Sequence, residues 1–148
     1  MDSYDIIDGR KVPQLTITSD TVISDKHQGS IKVVGCQLTI LGTVNGSISV
    51  YQGGSVIIQG QVNGSLAIDQ MCTVTILGRC NGSASLANLA RVLIEPSGRL
   101  AGSIANFGEL VVRGAFGGAQ SGNGRVRIEG DGYIKQPVIR NGVHYYDW

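Results

Sequence analysis

The sequence predicts an all-β chain wound into a short single-stranded β-helix of about six rungs, with terminal strands placed to cap it. Three observations carry this. One sentence of residues is written twice, as GTVNGSISVYQGGSVIIQ at 42–59 and GQVNGSLAIDQMCTVTIL at 60–77. Glycines at 42, 60 and 78 open the same hexapeptide: GTVNGS, GQVNGS and GRCNGS. Between them aliphatic and polar residues alternate with period two, the pattern of a half-buried strand. A period of 18 is too short for a helical repeat or a propeller blade, and it suits one coil of three short strands and three corners. No coil could bury its own apolar residues, so the stacking is the fold.

Three segments follow in chain order: an N-terminal cap at 1–28, the repeat domain at 29–130 and a C-terminal aromatic cap at 131–148. In the first, DIIDG carries a turn signal and QLTIT alternates like a short strand, with Pro13 suiting an edge. Repetition begins at GSIKVVGCQLTIL, 29–41, which matches GSISVYQGGSVIIQ one residue short. The register points Val44, Ile48, Val50, Val56 and Ile58 inward in one coil, then Val62, Leu66, Ile68, Val74 and Ile76. Cys80, Ala84, Leu86, Val92 and Ile94 follow. EPSGRLAGS inserts Pro96 and Ser97 as an outward corner, after which Leu100, Ile104, Leu110, Val112, Phe116, Val126 and Ile128 carry the core onward. Gly42, Gly60, Gly78, Gly98, Gly114 and Gly130 supply the corners, where positive φ or close backbone approach excludes a Cβ. The tail from Tyr133 holds Tyr145, Tyr146 and Trp148, either as a lid on the last rung or as an anchor for another protein.

Composition sets limits on function. Aromatics at 5% and 22 glycines suit tight corners around a thin aliphatic core and disfavour a helical protein. Residues 1–30 carry five acids and three bases, and 31–148 carry six acids and nine bases, an asymmetry too mild for nucleic-acid binding. The start MDSYDIIDGRK lacks the pattern of a signal peptide, and no stretch reaches transmembrane length. Cys36, Cys72 and Cys80 are odd in number without a CxxC, which with the missing targeting signal favours the cytoplasm. The Asn-Gly-Ser triplets at 45–47, 63–65 and 81–83 read as recurring turn-prone pairs.

Catalysis is hard to build from these residues, and the expectation is no enzyme, no small-molecule substrate, no cofactor and no metal. His27 sits in a polar lead-in and His144 in the aromatic tail, which reads as solvated or stacking histidines. A zinc site needs three or four convergent ligands, and the sparse Cys and His do not supply them. Between 26 and 130 the only acids are Asp69, Glu95, Glu109 and Glu129, and Asp69 and Glu95 do not align in the repeat. Arg79 and Arg99 share the position after a corner glycine, while Arg91, Arg113, Arg125 and Arg127 project from later coils. A solvated face is one reading. The other is protein binding through Arg79, Arg99 and Arg113 together with Tyr145, Tyr146 and Trp148.

Valine-type residues also recur every six positions from Val44 to Val92, so a left-handed hexapeptide helix stands as an alternative. The residues following them, Asn, Tyr, Ile, Asn, Asp, Thr, Asn, Ala and Leu, depart from the small or acidic type usual there. The stretch from about Gly29 to Gly118 resembles the bactofilin core, most clearly VLIEPSGRLAGSIANFGELVVRGAFGG at 92–118, which closes on Gly114, Ala115, Phe116, Gly117 and Gly118. That resemblance implies a right-handed β-helix, self-association through end rungs and a nucleotide-free bacterial scaffold. The strand-like and aromatic ends depart from the polar tails of that family. They favour instead a capped β-helix that binds one specific protein, of the antitoxin or immunity-protein type.

Overall fold

Short β-branched runs bounded by glycine can pair only with like runs one period away, and that is the pairing found. A computed structural model describes residues 15–118, 120–130 and 132–134. It gives the backbone alone for Tyr133 and for the strands Tyr4–Ile7, Arg10–Pro13, Val138–Arg140 and Val143–Tyr145. The chain winds as a right-handed solenoid with three parallel sheets, each seven strands deep. Seven coils therefore make six rung-to-rung steps, and no helix occurs among the described residues.

The first face stacks Leu15–Ile17, Ile31–Val34, Ile48–Tyr51, Leu66–Ile68, Ala84–Leu86, Ile104–Asn106 and Gln120–Ser121. The second stacks Thr21–Ile23, Gln37–Ile40, Ser55–Ile58, Thr73–Ile76, Arg91–Ile94, Glu109–Val112 and Arg125–Ile128. The third stacks Lys26–Gln28, Thr43–Asn45, Gln61–Asn63, Arg79–Asn81, Arg99–Ala101, Ala115–Gly117 and Tyr133–Ile134. The segment 15–28 is thus itself a coil, stacked on 31–45. Two antiparallel hairpins, within 4–13 and 138–145, form sheets of their own and extend none of the three faces.

Register follows the repeat. Val56 pairs with Leu38 below and Val74 above, and Ile58 with Ile40 and Ile76. These residues are fully buried, as are Val44, Val62 and Cys80 on the third face. The strands of one coil turn inward two residues from each of the first two faces and one from the third, with Cys72 and Ala90 adding a buried corner residue in two coils, and this crowding departs from the even six-residue spacing of the left-handed alternative. Side-chain size is balanced within coils. Ala84 on the first face shares its coil with Leu100 on the third, whereas Leu66 shares its coil with Cys80.

Two corners are columns of glycine. At Gly60 a Cβ would fall on the carbonyl oxygen of Gly42, and at Gly78 on that of Gly60, although neither has positive φ. Close approach is the cause, because a flat corner lets each rung hydrogen-bond the next: the Gln61 N–H donates to the Gly42 oxygen at 2.9 Å. Gly46, Gly64, Gly82, Gly102 and Gly118 form a second column of the same kind between the third and first faces. Gly98 and Gly114 continue the first column, and its next place is held by Gly132. Gly130 stands in the turn before it, at φ +58 with open space around it. The reason is an outward corner like that of Pro96 and Ser97: the Gly132 N–H donates to the Glu129 oxygen as Gly98 does to Glu95.

Candidate functional site

In an in-register stack the outward residues form columns as regular as the inward ones, so surface chemistry arrives in ladders. On the third face Asn63 Nδ2 donates to Asn45 Oδ1 at 2.9 Å, and Asn81 Nδ2 to Asn63 Oδ1 at 3.1 Å. Asn63 in the middle donates downward and accepts from above, and its Oδ1 also accepts from Gln61 Nε2 at 2.7 Å. In the neighbouring column stand Thr43, Gln61, Arg79 and Arg99, with Arg79 directly beneath Arg99. Both guanidinium-bearing residues are exposed, and like charges in adjacent strands repel. Beside them lies a shallow hollow of about 500 Å³ lined in part by Gln59, Gln61 and Ser97.

Arg113 is placed differently. It occupies the corner column of Leu77, Glu95 and Glu129, between the two acids. Its Nε donates to Glu129 at 2.9 Å and its Nη1 to Glu95 at 3.1 Å, while Arg127 reaches Glu129 at 2.9 Å. The hydrogen bond from Arg113 holds the Glu129 carboxyl below its ordinary range, and the two acids raise Arg113 in turn. A general acid needs the opposite shift. Arg91 likewise meets Glu109 at 3.3 Å. Of the cations read as protein-binding, Arg113 is engaged by Glu95 and Glu129, and Arg79 and Arg99 stand exposed on adjacent strands. Tyr146 and Trp148 lie outside the described residues, and Tyr145 is described only as the last residue of Val143–Tyr145.

Asp69 and Glu95 sit at different corners of the coil, one bonded back to Val50 and the other to Ile76. Among the described residues no three His, Cys, Asp or Glu gather as a metal-ligand group. Burial pushes the Cys80 thiol up to about 12, which leaves it an uncharged core residue. His27 departs from its reading as a solvated ring. It takes the inward place below Val44, because strand Lys26–Gln28 follows the register of the coil above. Its Nε2 is buried and finds no partner among the described residues, and desolvation lowers its pKa.

Two surface features come from the three-dimensional path. One is an apolar column at the corner between the first and second faces, where Met71, Leu89 and Phe107 are exposed on successive coils. Met71 and Leu89 hold left-handed backbone at φ 65 and 69, uncommon for side chains of that size. The 18-residue spacing of the three was the available signal in the sequence. The other is the end of the stack. Val126 and Ile128 continue the inward columns of Leu110 and Val112, yet stand 37% and 53% exposed because no described coil lies above them. No protein family, curated protein or solved structure matches this chain.

Proposed function

We propose that this non-catalytic solenoid works as a structural scaffold in the cytoplasm, assembling with copies of itself through its end coils in the manner the bactofilin resemblance implies. The observation that carries the reading is the open C-terminal coil. Among the described residues its strand Arg125–Ile128 pairs on one side only, with Glu109–Val112, and leaves Val126 and Ile128 exposed on the other. An unpaired edge with an apolar inner face is a template for a further strand. Burying those two side chains contributes about 1.5–3 kcal/mol each. Association costs roughly 4–15 kcal/mol, so backbone pairing across all three faces is required and assembly depends on concentration.

Light scattering of the full chain over a concentration series, with electron microscopy of the product, tests this. The expected result is elongated particles that Ile128→Asp suppresses while the chain stays folded. A monodisperse monomer at every concentration overturns it. A second reading, a dedicated binder of one protein partner, draws on the exposed column of Met71, Leu89 and Phe107 and on the Arg79–Arg99 pair. On that reading the full chain stays monodisperse.

A further inference from the structure

One corner of the stack changes its chemistry part-way up the axis. Two residues before the second-face strand, successive coils place Gly35, Gly53, Met71 and Leu89, all left-handed at φ 63, 72, 65 and 69. Glycine takes that backbone without strain, and a long side chain does not. Met71 and Leu89 recover little of that cost by burial, since they stand 68% and 64% exposed. Strain held without a return in burial points to a use outside the fold.

Above them the corner steps back. It takes residues 69–72 and 87–90 in two successive coils, but only 107–108 in the next. The shortened corner leaves an open notch of about 450 Å³ lined by Leu89, the half-exposed Phe107 and Arg125 among others. Asn106 fixes this step. It takes the inward place that Val33, Val50, Ile68 and Leu86 hold in the coils below. Buried there, its Oδ1 accepts the Gly108 N–H at 3.0 Å and its Nδ2 donates to the Arg125 carbonyl at 3.0 Å. The notch is therefore shaped by the fold before any partner arrives, which lowers the cost of filling it.

Spacing and charge select the occupant. Met71, Leu89 and the notch follow one another at the rung step of about 4.8 Å, and so span about 9.6 Å. A helix laid along the axis returns a side chain to one face about every 5.4 Å. An extended strand does so about every 6.8 Å. Over two steps the helix overruns by about 1 Å and the strand by about 4 Å. Beside the notch runs the leading column of the second face, Arg91, Glu109 and Arg125. Arg91 and Glu109 meet at 3.3 Å, whereas Arg125 is exposed and makes no ion pair among the described residues. The surplus is positive, which suits an acid on the occupant and opposes a second copy of the same surface.

We propose that this corner docks an amphipathic α-helix of a partner protein. Its apolar stripe lies over Met71 and Leu89, one large apolar side chain enters the notch against Phe107, and a carboxylate faces Arg125. This rests on the partner-binding reading above and adds the partner's form and chemistry.

The test pans the full chain against phage-displayed random peptides of about four helical turns. The enriched peptides are then titrated by fluorescence anisotropy against the wild type, Arg125→Glu and the double variant Met71→Gly, Leu89→Gly. The expected consensus carries large apolar residues three and four apart with Asp or Glu beside them. The glycine pair weakens binding at least about tenfold. Its melting temperature holds, because relief of left-handed strain offsets the looser unfolded chain. Arg125→Glu also weakens binding about tenfold, and a peptide with Lys in place of its acids recovers on that variant. Enriched peptides that bind the glycine pair as tightly as the wild type defeat this site and leave the partner-binding reading standing. Apolar residues at alternate positions, or basic flanks, defeat the helix and its charge. Displacement of the peptides by excess full chain makes the occupant a second copy, which overturns the proposal too. No enriched peptide at all defeats the partner-binding reading along with it.

Discussion

The middle of the stack and its last coil carry the same pattern to opposite ends. Val74 and Ile76 are fully buried, and Val126 and Ile128, in the same two columns, are 37% and 53% exposed. Alternation decides which way a side chain points, and the next rung decides whether it leaves water. The outward partners change in step. Thr73 and Thr75 in the middle give way to Arg125 and Arg127 at the end. Charges on a short edge strand discourage indiscriminate pairing.

The largest expected effect comes from placing the same substitution in both regions. Ile76→Asp puts an unpaired carboxylate between two rungs and should cost more than about 4 kcal/mol, abolishing cooperative thermal unfolding. Ile128→Asp in dilute, unassembled protein should cost under about 1 kcal/mol, since its carboxylate stays in water. Equal losses in the two melting curves would mean that the last coil is covered.

Glycines offer a second contrast. Gly78→Ala drives a methyl into the backbone of the rung below and should lower stability by about 2–3 kcal/mol in chemical denaturation. Gly130→Ala meets no neighbour and suffers only its left-handed φ, about 1 kcal/mol. Reversal of that order would displace the corner column from Gly132 to Gly130.

At the opposite end the first coil holds His27. Its folded pKa lies below the ordinary 6.5, so the unfolded chain binds the proton first. Its contribution to stability is fully present above pH 6.5 and is lost as pH falls below that value through the folded pKa. Acidification should therefore raise hydrogen exchange in 15–28 before it does so in 48–94, and His27→Val should remove that difference. Persistence of the acid response in the variant would place its origin elsewhere. The smallest effect belongs to Arg113→Gln, whose pairs with Glu95 and Glu129 lie near solvent: a slight drop in melting temperature that shrinks with added salt. A large salt-insensitive drop would show that the guanidinium stem is packing the corner.

Much of this architecture was legible in the order of residues, because its causes are local. The 18-residue period, the two-residue alternation and the corner glycines each report a backbone that must turn or extend at that point. The inward set from Val44 to Phe116 could be named from them. What stacks on what was less legible, since it accumulates along the chain. Coils step by 17 residues from Ile31 to Ile48, 18 from Val56 to Val74, 20 from Arg79 to Arg99 and 16 from Arg99 to Ala115. Each change of step shifts every later outward residue into a column that only the folded path reveals. That is why Arg113 lands between two acids, His27 lands inside, and Met71, Leu89 and Phe107 surface as one apolar line. The right-handed winding and the open last rung were decided by the tertiary structure for the same reason. Sequence alternation determines a side chain's face, but its neighbour is one whole coil away.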